Sequence, residues 1–399
     1  MMRRIFKRTA WALGSVVLAA FVAWWAARPA TPDAFYLPPD PLPQKPGVLL
    51  RREPFERKVP PGSIAWRILY STLGMDGHPA VASAIVMMSR QAPEGSRPVI
   101  AYAHGTTGVM PGCAPSLLRN PFENVPALQE LIHRGWIYVA TDYIGQGVAG
   151  PHPYLIGEGE ARSVLDAIRA LRQMKDVRAG DQTVVWGHSQ GGNAAMWTGI
   201  LAPRYAPEIS IAGVAALSPA TNLPALVDAD QYTVVGRLLS SMILRAYSDV
   251  YRDVEFDAYA RGWKRLVARD MSARCLAVPE ALISVAESMA AGRTIYNASS
   301  PITGPLGRRL AENTPDRPVS QPLLIAQGLT DDLVPPGIQS QFVSRRCGEG
   351  QSLEYRRYAG RNHVSVIAGD APLSGDLLAW TQDRLSGIPP AGGCRDVLR

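Results

Sequence analysis

Apolar and polar positions alternate over Ile64–Thr72 and Val81–Met88, the two-residue period of strands that turn one face to a core. Apolar stretches at Val99–Ala103, Trp136–Ala140 and Thr183–Trp186 predict further strands, those at Ile211–Leu217 and Pro322–Gly328 predict buried ones, and Leu353–Tyr358 reads as another. Apolar residues recur at helical spacing over Val125–Arg134 and Glu160–Met174. Strand and helix alternate, which predicts a mostly parallel sheet flanked by helices.

The alternation breaks once. Between Ser218-Pro219 and Pro318 about a hundred residues intervene, far more than an ordinary connection takes. Val234–Tyr247 and Pro279–Ala290 have helical apolar spacing, so residues 220–318 are expected to form a helical cap inserted between two parts of a core, 63–219 and 319–399. A chain of 399 residues with 47% hydrophobic content can bury a core of that size.

The N-terminus has a different pattern: Arg3, Arg4, Lys7 and Arg8 precede an apolar run from Ala10 to Ala27, with Trp24 and Trp25 near its far end. Residues 1–28 therefore read as a signal peptide or membrane anchor. The positions a signal peptidase inspects suit cleavage poorly, because Trp25 precedes Ala27 and Arg28 precedes Ala30, so an uncleaved single-span anchor is favoured. Residues 29–46 carry seven prolines. Residues 29–62 are accordingly expected to be a Pro-rich linker, whose proline-rich part 29–46 is long enough to hold the domain up to about 50 Å from a membrane. The formal charge of +7 concentrates here, since Arg3, Arg4, Lys7, Arg8 and Arg28 leave only 7 − 5 = +2 for the rest, which gives no case for a nucleic-acid partner.

Candidate chemistry begins at Gly187-His188-Ser189-Gln190-Gly191-Gly192, which follows the strand Thr183–Trp186 and leads into the helix-forming Asn193-Ala194-Ala195-Met196-Trp197. This is a nucleophile elbow, G-x-S-x-G, whose glycines let the chain turn from strand to helix and expose the Ser189 hydroxyl. A serine hydroxyl needs a base within hydrogen-bond reach and an acid to orient that base. In the fold that uses this elbow the order is Ser, then acid, then His, and of six histidines only His363 follows Ser189. The acid is sought just past the strand Pro322–Gly328, where Asp331 and Asp332 stand. Backbone N–H groups must also face the oxyanion. Gln190 is one expected donor, and Thr106 or Thr107, in the loop after Val99–Ala103, the other. His104 and His188 are read as structural.

Three segments carry a resemblance: Ala103-His104-Gly105-Thr106-Thr107-Gly108, the stretch from Asp142 to Leu155, and the elbow with Glu160-Ala161-Arg162-Ser163 ahead of it. With them, from about Val48 to about Ile388, the chain resembles a bacterial member of the fungal-type secretory lipase family, within the α/β-hydrolases. The resemblance implies an α/β-hydrolase core with a large helical cap and hydrolysis of carboxylic esters, including acylglycerols. It also implies Asp331 rather than Asp332, because such hydrolases commonly show G-x-x-D-x-x-V-P and Gly328, Asp331, Val334 and Pro335 fall into that register. The membrane-type N-terminus is a departure from the family.

Gly145-Gln146-Gly147-Val148-Ala149-Gly150 spells G-x-G-x-x-G after a strand, yet Pro151 and Pro153 follow where a dinucleotide fingerprint must open a helix. It is read as a flexible loop beside the pocket, and no cofactor is expected. Cys113, Cys275, Cys347 and Cys394 are even in number and show no C-x-x-C or metal-ligand spacing, which points to export and disulfides and to no metal. Of three pairings, Cys347 with Cys394 and Cys113 with Cys275 are favoured. The reading is an extracytoplasmic serine hydrolase acting on a small ester or lipid, attached to the membrane through its N-terminal segment. The alternatives are an acyltransferase on the same triad and a non-catalytic, membrane-tethered binding protein.

Overall fold

The computed structural model describes residues 22, 24, 25, 27–91, 94–297 and 301–399. Most of the predicted anchor lies outside the described residues, and among these no helix is long and apolar enough to cross a membrane.

Ten strands form one sheet: β1 Leu49–Phe55, β2 Ser63–Leu73, β3 Pro79–Ser89, β4 Arg97–Ala103, β5 Ile137–Thr141, β6 Ala179–His188, β7 Ser210–Leu217, β8 Leu323–Gly328, β9 Leu353–Tyr358 and β10 Cys394–Leu398, all among the described residues. Their order is β1-β2-β3-β5-β4-β6-β7-β8-β9-β10. The first four in that order pair antiparallel, and every pair from β5 onward is parallel. Parallel strands end at one edge, so the loops after β4, β6, β8 and β9 converge there.

The two-residue period sorts side chains between two cores. Along β4, Val99, Ala101 and Ala103 join the core under the helices Gly157–Leu171 and Gln190–Tyr205. Ile100 and Tyr102 join the opposite one, with the helices Leu128–His133 and Pro372–Leu385. Between β7 and β8 the helices Leu223–Asp230, Val234–Val250, Phe256–Tyr259, Gly262–Ser272, Glu280–Ala290 and Gly304–Glu312 build a separate core around Met242, Leu244, Tyr247 and Leu306. Tyr154 and Ile156 reach into it from the main domain.

Several expectations need correction. Residues 29–62 are not a free linker. Phe35 and Tyr36 are buried in a short helix, Tyr36 Oη lies 2.7 Å from Ser116 Oγ, and Leu49–Phe55 pairs with β2 as an edge strand. That strand was hidden because Arg51, Arg52 and Glu53 interrupt any alternation; its partner strand and the Arg52–Asp176 ion pair hold it. The helix expected from Val125 starts at Leu128, since Ala127 takes a left-handed φ of 50° after Pro126. The Gly145–Gly150 loop is not free either: Gln146 is fully buried and Gly147 packs on Tyr36. The C-terminal tail adds β10 to the sheet, beside β9. Both favoured disulfides, Cys113–Cys275 and Cys347–Cys394, are present.

Candidate active site

Ser189 sits between β6 and the helix Gln190–Tyr205 with φ 57° and ψ −119°, a conformation that side chains other than glycine rarely adopt and that costs on the order of 1–3 kcal/mol. The elbow is built by close approach of backbones. A Cβ on Gly187 would stand 1.9 Å from the Gly191 carbonyl oxygen, and one on Gly191 would stand 1.9 Å from that of Ala103. Only glycines fit these two positions, and the second presses the elbow against the end of β4.

His363, in the loop after β9, has Nε2 2.9 Å from Ser189 Oγ and Nδ1 2.8 Å from Asp331 Oδ2. Asp331 is buried. Burial would raise its carboxyl, but the hydrogen bond and charge of His363, with the N–H groups of Val334 and Leu333, outweigh it and hold the group below the ordinary carboxylate range. Gln327 Nε2 donates to the same Oδ2 at 3.0 Å, which fixes the carboxylate plane. Asp332 is exposed.

The two histidines read as structural brace this arrangement. His188 Nε2 donates to the His363 carbonyl at 2.8 Å, and burial, then the His363 charge, pushes its pKa down to about 3, so it stays a neutral tether between the elbow and the His363 loop. His104 Nδ1 donates to the Gly105 carbonyl, and burial pushes it down to about 4.

Gln190 is the first residue of its helix, where N–H groups have no upstream carbonyl partner within the helix. Thr106 lines the same cavity as Ser189 and Gln190, and its hydroxyl lies 2.9 Å from Tyr154 Oη. Thr107 is pinned differently: its Oγ1 accepts from Gln146 Nε2 and its carbonyl from Leu276 N–H, joining the loop after β4 to both the Gly145–Gly150 loop and the cap. The cap side of the cavity is mostly aliphatic, with Leu223, Leu226, Val227 and Ile243, and adds two polar side chains, Asp230 and Ser240.

Sequence reasoning missed the layer behind Gln190. Glu160 Oε1 accepts from Gln190 Nε2 at 2.6 Å and from Leu155 N–H at 3.0 Å, while Oε2 has no partner. Burial, only partly opposed by those two bonds, pushes Glu160 up to about 8. Along the chain nothing sets Glu160 apart from Glu158 and Asp166 of the same helix, and its role is legible only once the helix is seen to pack under the elbow. Among the described residues no cluster of acidic, histidine or cysteine side chains is arranged to hold a metal. A roomier cavity lined by Pro322, Leu323, Ser352 and Leu353 lies where β8 and β9 begin, at the opposite edge from Ser189.

Three comparisons bear on this site. A family model described as secretory lipase matches residues 124–393. A secreted triacylglycerol lipase of Malassezia globosa is 27% identical, with 92% of this chain and 83% of the relative aligned, and a Mycobacterium tuberculosis protein named "Probable inactive lipase" is 25% identical over 91% and 84%. The crystal structure of Candida antarctica lipase A superposes with a TM-score of 0.78 at 16% identity, over 92% of this chain and 89% of that one. The family match covers more than half of the chain and includes the elbow and the loops of Asp331 and His363: the chain belongs to the secretory lipase family, carboxylic ester hydrolases of the α/β-hydrolase fold.

Proposed function

We propose that the protein hydrolyses carboxylic esters through a Ser189–His363–Asp331 triad. The observation that carries this reading is the continuous hydrogen-bonded line from Ser189 Oγ to His363 Nε2 and from His363 Nδ1 to Asp331 Oδ2, at 2.9 and 2.8 Å. Ser189 attacks the ester carbonyl as His363 takes its proton. Asp331 holds the imidazole in the tautomer with Nδ1–H and stabilises the imidazolium. The oxyanion forms against the N–H groups of Gln190 and Thr106, which line one cavity together with Ser189, whereas Thr107 meets Ser189 only in the neighbouring cavity that Gln190 does not line. His363 then gives its proton to the leaving alcohol, and water, activated by the same imidazole, releases the acid. A lipase or esterase is favoured over an inactive hydrolase fold because the triad is complete and its geometry is already set.

The two disulfides and the secretory family support an extracytoplasmic location. The membrane reading rests on residues 1–28. Trp24 Nε1 donates to Asp270 and Arg274 Nη1 to the Trp24 carbonyl, so an uncleaved anchor places the cap at the membrane rather than at the end of a tether.

The test is hydrolysis of a p-nitrophenyl ester series by the full chain beside its Ser189→Ala variant, with labelling by a fluorophosphonate. Wild-type turnover and labelling, both lost in the variant, support the reading. Folded wild-type protein that neither turns over nor labels overturns it.

A further inference from the structure

Among the described residues Asp230 is the single carboxylate lining the cavity that Ser189 shares with Gln190, beside Leu223, Leu226, Val227, Leu239 and Ile243 and the hydroxyl groups of Tyr154 and Ser240. It is the last residue of the helix Leu223–Asp230, where the unpaired carbonyls already place negative charge and an acid is disfavoured. Its carbonyl accepts from Thr233, but among the described residues its carboxylate receives no hydrogen bond and no ion pair. The flanking groups are engaged elsewhere. Gln231 Nε2 donates to Asp228, and Arg237 directs its guanidinium to the carbonyls of Ser288, Tyr232 and Arg293. An unpaired acid in an apolar cavity opposes folding, and a leucine here would continue the lining. Burial, then the charge of Asp331, pushes Asp230 up to about 7, so near neutrality it exists in both forms. A hydroxyl group bonds to either form, whereas a cation requires the ionised one.

We propose that Asp230 is a specificity residue that receives a hydrogen bond from a hydroxyl on the part of the substrate filling this cavity, so that hydroxylated esters are preferred to plain alkyl esters of the same length. This rests on the ester-hydrolase reading of Ser189. The hydroxyl belongs either to the acyl chain or to the alcohol, and the chemistry of recognition is the same for both.

The experiment measures kcat/KM for two matched pairs with full-length wild type, Asp230→Leu and Asp230→Asn. One pair is p-nitrophenyl hexanoate and its 6-hydroxy counterpart, and the other is propyl hexanoate and glycerol monohexanoate. The expected result is a wild-type preference of at least about tenfold for the hydroxylated member of one pair. The Leu variant inverts that preference and the Asn variant, which keeps an acceptor, retains most of it. The responding pair identifies the acyl or the alcohol side. Equal ratios for wild type and the Leu variant, or wild-type preference for the plain member of both pairs, overturn the proposal while leaving the hydrolase reading intact. Absence of wild-type turnover on all four esters sinks both.

Discussion

At the scale of single residues, the strain at Ser189, the line through His363 and the unpaired oxygen of Glu160 are the features with the largest consequences. Ser189→Ala is expected to lower kcat by at least about 10⁴-fold without changing the thermal midpoint downward, because it removes the nucleophile and eases no packing. Asp331→Asn, which keeps the shape but reverses the preferred imidazole tautomer, should cost about 10³–10⁴-fold in kcat. Glu160 yields a stability prediction with a definite sign. Its folded pKa is raised from 4.5 to about 8, so above pH 4.5 the folded state binds more protons than the unfolded one. The stability it contributes is full below about pH 4.5 and is lost as pH rises to about 8, by roughly 2–4 kcal/mol. Glu160→Gln, neutral throughout and able to accept the Gln190 and Leu155 bonds, should flatten this slope. Denaturant unfolding at pH 5 and pH 8.5 measures it, and equal slopes in both proteins would refute the assignment of a buried neutral acid.

At the scale of elements, the elbow is a junction of three backbones, and the glycines make it possible. A Cβ at Gly191 meets the Ala103 and His104 carbonyl oxygens at 1.9 and 2.7 Å, so β4 and the helix Gln190–Tyr205 must separate to admit it. Gly191→Ala is expected to destabilise by more than about 3 kcal/mol and to reduce activity in the fraction that folds, since the same shift moves Gln190 away from Thr106. Soluble yield and thermal midpoint, read beside activity per folded molecule, check both parts. Gly337→Ala is the control: it lies in the first turn of the helix Pro336–Gly348 with open space around its Cβ, and should change neither.

At the scale of the whole molecule, the two disulfides bind distant parts of the chain to the site. Cys113–Cys275, 162 residues apart, fastens the segment after the Thr106 loop to the cap, and Cys347–Cys394, 47 apart, ties β10 to the helix Pro336–Gly348. Chain entropy gives them about 5 and about 4 kcal/mol. A Cys113→Ser and Cys275→Ser double variant should therefore lose both thermal stability and activity, because the cap then moves relative to Thr106. A Cys347→Ser and Cys394→Ser double variant should lose stability with activity at low temperature largely kept, since that bridge lies away from the Ser189 edge. Thermal unfolding and turnover of the two variants distinguish these outcomes.

Sequence by itself determined the elements whose pattern is local and the chemistry whose order is fixed along the chain. Alternation placed β2 and β3, apolar runs placed β4 to β8, glycine spacing marked Ser189 as the candidate nucleophile, and elimination left His363 as its candidate base. A hundred residues without a sheet pattern announced the cap. Only the tertiary structure decided what depends on partners far away in sequence. β1 is a strand because β2 lies beside it, residues 29–46 dock because Phe35 and Tyr36 find a pocket, and the Gly145–Gly150 loop is buried because Gln146 reaches the carbonyl of Gly108. Glu160 and Asp230 look like ordinary surface acids when read along the chain. Packing removes water from Glu160 and part of it from Asp230, and a carboxylate acquires its meaning from the surroundings that folding supplies.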